Sequence, residues 1–329
     1  YGLNASWTLY NGNKRLKTIQ QEKLNNQMAE LDVATSENNI QESIAQVYIQ
    51  ILYAAESVKV NENTLQVSIA QRDRGQELLN AGSIAKSDLA QLEAQVSTDR
   101  YQLVTAQATL EDYKLQLKQL LELDGENEMN IYLPALSDEN VLAPLPTKRD
   151  VYISALSLRP EIEASKLNVE ASELGINIAK SSYFPTISLS AGIGTNHTSG
   201  SDFTFGEQVK NGWNNSIGLS VSVPIFNNRQ TKSAVQKAKL QYETSMLSLL
   251  DEQKALYKTI ESLWLDANSA QQRYAAANEK LKSTQISYEL ISEQFNLGMK
   301  NTVELLTEKN NLLQAQQEQL QAKYMAILN

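Results

Sequence analysis

The sequence predicts a mainly α-helical protein with a small β portion. It reads as two copies of one unit, in which a short strand of membrane-barrel type runs into a long antiparallel helical hairpin. Three observations carry this. The chain aligns with itself without a gap at an offset of 216 residues. Its strand segments alternate aliphatic with small polar residues. Its helical segments run on with almost no glycine or proline.

The internal register is the first of these. Asn11 falls on Asn227, Lys23-Leu24 on Lys239-Leu240, Leu31 on Leu247, Ile44 on Ile260, Leu65 on Leu281 and Ala106 on Ala322. The best-matched stretch sets Asn80-Ala81-Gly82 on Asn296-Leu297-Gly298, and six residues after each glycine stands an acid followed by leucine, Asp88-Leu89 and Glu304-Leu305. The organisation that follows is a first repeat over 1–121, a proline-containing linker and short helix over 122–182, and a second repeat over 183–329.

Strands come next. Residues 3–9 alternate Leu3, Ala5, Trp7 and Leu9 with Asn4, Ser6 and Thr8. Residues 186–194 alternate Ile187, Leu189, Ala191 and Ile193 with serine and glycine, and 216–225 alternate Ile217, Leu219, Val221, Val223 and Ile225 with Ser216, Gly218, Ser220, Ser222 and Pro224. Period 2 is the strand signature. A half-buried soluble sheet gives the same alternation, but its wet face usually carries charge. Here that face has none, which is the pattern of a membrane barrel around a polar lumen. Tyr183, Phe184, Trp213 and Phe226 flank the runs and Trp7 lies within one. They form either interfacial aromatic girdles or ordinary strand-end packing. The polar stretch 195–213 reads as a long surface loop, on the cell exterior by barrel logic. It holds His197, the single histidine, with nothing nearby to complete a site.

The helices follow each strand. Residues 227–297 contain neither glycine nor proline, and the matching segment 11–81 holds Gly75 in its interior. About 70 residues at 1.5 Å each make roughly 105 Å of helix. Gly82 and Gly298 are where the chain reverses, since glycine accepts the left-handed backbone that ends a helix. Ser83 and Asn301 are candidate N-caps for the returning helices. Those helices carry heptads: Leu89, Leu92, Val96, Leu103, Ala106, Leu110, Tyr113, Leu117 and Leu120 in the first, broken by Asp99, and Leu306, Leu313, Leu320 and Ile327 in the second. A 3.5-residue period means left-handed coiled-coil packing. The remaining positions are too polar for one closed core and suit the wall of a hollow cylinder, wet on both sides. Residues 122–160, with Pro134, Pro144, Pro146, Pro160 and the run ELDGENE, form a linker laid over the helices, and 161–180 resume as a short helix.

Composition narrows function. Net charge is -9 and pI is near 4.9, which argues against nucleic-acid binding. The chain has no cysteine, hence no disulfide framework or thiolate metal site. No apolar run reaches the ~20 residues of a membrane helix, and there is no signal peptide. Tyr1 falls inside a strand-like pattern, so the sequence is expected to begin partway through a longer protein. There is no phosphate loop, metal-spaced His/Cys cluster or nucleophile elbow. An enzyme, and with it a cofactor, is not expected.

Four stretches resemble the outer membrane efflux proteins, the TolC-like exit ducts. Leu158-Arg159-Pro160-Glu161 looks like the family's motif before its second repeat, and Tyr183-Phe184-Pro185-Thr186-Ile187 like its strand opening. Pro224-Ile225-Phe226-Asn227-Asn228-Arg229 looks like its strand-to-helix junction, and Leu297-Gly298 with Val303-Glu304-Leu305-Leu306 like its hairpin tip. The resemblance implies an outer-membrane homotrimer with a large periplasmic portion, in which each protomer gives four strands to a closed barrel in outer-membrane lipid and long helices to a coiled-coil tunnel. The fourth strand and the helix before it would lie upstream of Tyr1, and without them the barrel would have open edges. The partners implied are a periplasmic membrane-fusion adaptor and an inner-membrane pump, in an efflux or type I secretion assembly.

The same resemblance assigns sites. Glu304 matches an aspartate of the family's luminal acidic ring, Lys300 a basic residue that ties the inner coil shut, and Asp88 its acidic neighbour on the other hairpin. Thr307 stands where a second ring aspartate is expected. The tips Gly82-Ser83-Ile84 and Gly298-Met299-Lys300 match the adaptor-docking ends. Carboxylates ringing a narrow pore make it cation-selective; alternatively, Asp88, Lys300 and Glu304 are solvated charges in first helical turns. A coiled-coil scaffold or envelope adaptor without a channel is the competing reading, and it leaves the charge-free strand faces unexplained.

Overall fold

The computed structural model describes residues 1–123, 131–132, 134 and 141–328. Most of ELDGENE therefore lies outside the described residues. In chain order the elements are β1 (Gly2–Asn11), α1 (Lys14–Asn80), α2 (Lys86–Leu120), α3 (Lys148–Leu158), α4 (Pro160–Lys180), β2 (Thr186–Gly194), α5 (Phe205–Asn211), β3 (Asn214–Ser222), α6 (Gln230–Asn296) and α7 (Thr302–Leu328). Helices α1 and α6 are each 67 residues long, roughly 100 Å at 1.5 Å per residue. Both begin just after two successive left-handed residues, Gly12-Asn13 and Asn228-Arg229. No helix among the described residues is long and apolar enough to cross a membrane.

Two compact units divide the chain. One comprises 1–35 and 153–256, the other 36–152 and 257–329. The first holds a three-stranded antiparallel sheet in the order β1-β2-β3. Its register sorts the side chains by face. Ala5, Ala191 and Ile217 form one row, Trp7, Leu189 and Leu219 the next, and Tyr10, Ile187 and Val221 a third. The bulge between Thr8 and Tyr10 skips Leu9 and so brings Tyr10 onto this face. On the other face the rows are Asn4, Gly192, Ser216 and Ser6, Ser190, Gly218. The aliphatic face is bare: Leu3 is 79% exposed, Ile217 83% and Leu219 66%. A water-soluble sheet would have turned this face inward. In the same unit, α4 is held to neighbouring helices by Gln21 Nε2 donating to the Ala171 carbonyl (2.9 Å) and by paired hydroxyls of Ser172 and Ser245 (2.8 Å). Pro160, Ile162 and Ala171 are its buried residues.

Three local differences from the sequence reading have physical causes. Strand β3 covers 214–222 rather than 216–225. Its partner β2 starts at Thr186, opposite Ser222, so Val223 has nothing to pair with, and Pro224 has no N–H to give. The stretch 195–213 contains the short helix α5, because Thr204 and Glu207 form a capping box. The linker contains α3, so only part of 122–160 is irregular.

The second unit packs α1, α2, α6 and α7 through sparse stripes. Leu52, Leu320 and Tyr324 form a buried cluster, and Tyr53 meets Tyr324 edge to face. In α2 the buried heptad positions are Leu89, Leu92, Val96, Asp99 and Leu117. In α7, Leu305 takes the buried place while Leu306 is half-buried. Gly75 is needed where it stands: a Cβ there would lie 2.4 Å from Leu92 Cδ1. The end of the linker is strapped to α6. Gln271 Nε2 donates to the Val141 and Ala143 carbonyls (3.1 and 2.8 Å), and Trp264 Nε1 to that of Pro146 (3.0 Å). Lys148 pairs with Glu261 at 2.6 Å and lies over the Trp264 ring.

Removing the strap's donors should free it without melting the helices. Gln271→Ala deletes two hydrogen bonds, each worth about 1 kcal/mol. Amide exchange over 141–148 should speed several-fold while far-UV circular dichroism stays unchanged.

Candidate functional site

The two hairpin tips are built alike. Helix α1 ends in a Schellman motif: the Ser83 N–H bonds the Leu78 carbonyl (2.8 Å) and the Gly82 N–H that of Leu79 (2.9 Å). Helix α6 ends the same way, with Met299 N–H to Gln294 (2.8 Å) and Gly298 N–H to Phe295 (2.9 Å). Gly82 and Gly298 both stand at φ +74°, and neither has an atom within 4 Å of where a Cβ would be. Glycine is there for the backbone, not for space.

The returning helices start differently. Ser83 does not cap α2; Ala85 occupies the N-cap position, and the Asp88 carboxylate accepts the Ala85 N–H at 3.0 Å. At the second tip Asn301 is the cap. Its Oδ1 accepts the Glu304 N–H (2.9 Å), and Glu304 Oε2 accepts the Asn301 N–H (3.1 Å), a reciprocal capping box. Glu304 Oε1 also takes the Lys300 ammonium at 2.5 Å. The structure thus brings Lys300 to Glu304. No hydrogen bond or ion pair joins Asp88 to either among the described residues. Both Glu304 oxygens are occupied. The Lys300 hydrogen bond first, then the Asn301 N–H, hold its carboxyl below the usual glutamate range. Apolar side chains crown the second tip: Leu297, Met299 and Val303 are all exposed. At the first, Ile84 is half-buried.

In the sheet-bearing unit the aromatic residues sort by strand end. Tyr183 and Phe184 precede β2, Phe226 follows β3 at that same end, and Trp213 precedes β3 at the opposite end. All four are exposed. Trp7 stands opposite Leu189, within the apolar face rather than at its rim. His197 packs edge to face on Phe205. No group of His, Cys, Asp and Glu suited to a metal ion occurs among the described residues.

One polar cluster escaped the sequence. Asp99, legible only as a break in a heptad, lies in the contact of α1, α2 and α7, where it meets Lys309 and Ser68. All three are buried, at 1%, 3% and 2% exposure. Nothing in the local pattern pairs residues so far apart.

Comparison with known proteins decides the family. Residues 151–327, more than half of the chain, match the outer membrane efflux protein family. The chain belongs to the outer membrane efflux proteins. The outer membrane efflux protein BepC of Brucella suis biovar 1 is 24% identical over 294 residues, covering 89% of this chain and 61% of that protein. Escherichia coli TolC is 24% identical, covering 87% of this chain and 58% of its own length. The chain thus spans about three-fifths of the length of these two relatives. The crystal structure of VceC from Vibrio cholerae shares the fold, with a TM-score of 0.79 at 17% identity, over 99% of this chain and 76% of VceC. Membership in the outer membrane efflux proteins places the chain in the outer membrane.

Two outcomes test the tips. Because their φ values match and both glycines face open space, Gly82→Ala and Gly298→Ala should destabilise equally, by roughly 1–2 kcal/mol, in chemical denaturation. Lys300→Ala should raise the Glu304 pKa toward that of an ordinary glutamate, read by carboxyl NMR titration. The sign follows from the lowered value: Glu304 stabilises the tip at pH above the ordinary glutamate pKa, and that contribution fades as pH falls through its folded value.

Proposed function

We propose that this chain is the exit duct of a tripartite efflux or type I secretion assembly, passively conducting solutes from periplasm to exterior and gated at its periplasmic helical tips. One observation carries the reading: a sheet whose aliphatic face is left bare of protein, and whose other face is small and polar. Lipid on one side and water on the other satisfy both faces. A coiled-coil scaffold has no use for such a sheet.

In this reading three protomers close one barrel from their sheets, and the 216-residue register is a true repeat. The equal lengths of α1 and α6, the twin left-handed junctions and the twin Schellman tips support it. Tyr183, Phe184 and Phe226 form one interfacial band and Trp213 stands in the other, with Trp7 among the lipid-facing residues. The partners are a periplasmic membrane-fusion adaptor, received at Gly82-Ser83-Ile84 and Gly298-Met299-Lys300, and an inner-membrane pump. The exposed Leu297 and Met299 suit helix-to-helix docking. At the gate, three symmetry-related Lys300–Glu304 pairs line the constriction, with Asp88 beside them on the first tip. Carboxylates there favour cations.

The full-length protein reconstituted in planar bilayers should give discrete cation-selective conductance; a correctly folded trimer that never conducts sinks the duct. Leu219→Arg, on the bare face, should impair membrane assembly by about 2–4 kcal/mol, whereas Ser220→Thr on the polar face should not. Glu304→Ala should weaken block by multivalent cations added on the periplasmic side, and Lys300→Ala, which frees the carboxylate, should strengthen it.

A further inference from the structure

We propose that Ser68, Asp99 and Lys309 form a latch that pins α7, the return helix of the second hairpin, to both helices of the first, and thereby holds the tips in one arrangement. The latch rests on the duct reading for its role in gating, and on the structure for its existence. Lys309 Nζ donates to Asp99 Oδ2 and Ser68 Oγ, and Ser68 Oγ donates to the same carboxylate oxygen. Gln95 Nε2 donates to the other oxygen, Oδ1, at 2.8 Å. Both carboxylate oxygens are engaged and three helices meet on one carboxylate. Gln71 Nε2, one turn beyond Ser68 on α1, donates to the Tyr288 hydroxyl of α6 at 2.6 Å, so the remaining helix is tied in at the same level.

The internal register shows that this contact need not be polar. It places Ala315, fully buried, at the position of Asp99, Thr284 at that of Ser68, and Glu93, exposed, at that of Lys309. The second copy therefore fills the equivalent slot with a methyl group. A buried ion pair adds little stability over apolar packing, but separating its members strands two charges in a dry contact. Apolar helix contacts tolerate gradual sliding. This one is satisfied in one register only, so it makes the contact all-or-none. Burial pulls the Lys309 pKa down and Asp99 opposes that pull, which fits an ammonium that depends on its partner. Lys309 lies five residues, about one and a half turns, beyond Glu304 on α7, and eleven residues, about three turns, beyond the Gly298 reversal. A helix pinned there carries Lys300 and Glu304 with it.

The test uses the full-length protein, whose described chain has no cysteine. Spin labels at Ser83→Cys and Met299→Cys report the separation of the tips. The neutral pair Asp99→Ala with Lys309→Met removes the latch and leaves no charge stranded, so it should fold with wild-type helix content. The expected result is a tip-to-tip distance distribution that is broader and longer than that of the parent, and an open-channel probability raised several-fold in planar bilayers. The single variants Asp99→Ala and Lys309→Met should lower the thermal midpoint more than the pair does. A neutral pair that folds and keeps the parental distances overturns the latch, whatever the conductance. Shifted distances with no conductance in parent or variant keep the latch and overturn the duct.

Discussion

Leu3, Ile217, Leu219 and Val221 stand on a sheet face that no part of the described chain covers. Apolar surface of that kind has to be covered by something other than water. The opposite face cannot take the same covering, because the polar side chains of Asn4, Ser6 and Ser216 on it would lose water. The two faces therefore need two media, and the proposed duct rests on that demand. The two long helices are entered alike: α1 directly after β1 through Gly12-Asn13, and α6 a few residues after β3 through Asn228-Arg229.

The helices live under the opposite regime. Their buried residues are thin stripes, and much of each surface is polar. With little apolar area to hold a single packing, local devices and buried polar contacts set the geometry. The tips show the first kind, through their matched Schellman motifs and the Asn301–Glu304 box. The cluster at Asp99 shows the second. Symmetry between the two hairpins is kept in backbone and spacing but broken in chemistry. One returning helix buries an aspartate where the other buries an alanine, and one tip pairs Lys300 with Glu304 where Asp88 bonds its own helix.

Much of this was legible because it is local. A run with one glycine gives α1, a glycine-free run gives α6, and period 2 gives three strands. Pro160 opens α4 where the missing N–H does no harm. The rest was hidden because the deciding residues form subtle local pairs or lie on a neighbouring strand. The Thr204–Glu207 box hid a helix inside a polar loop, and the end of β3 depended on where β2 begins. Ser83 looked like a cap, but the Schellman turn uses the Ser83 N–H and passes the capping position to Ala85.

The sequence by itself determined the periodicities, the reversal points and the two-faced strands, since each follows from residues within a few positions of one another. It also determined which positions along the helices are apolar. Only the tertiary structure decided which stripes meet. Asp99 and Lys309 are 210 residues apart, and neither heptad pattern nor propensity carries information over that distance. Asp99 reads as a flaw in its own helix, and becomes part of a satisfied network only when α1 and α7 bring Ser68 and Lys309 against it. A buried charge is tolerable only with its partners in place, and the fold alone supplies them.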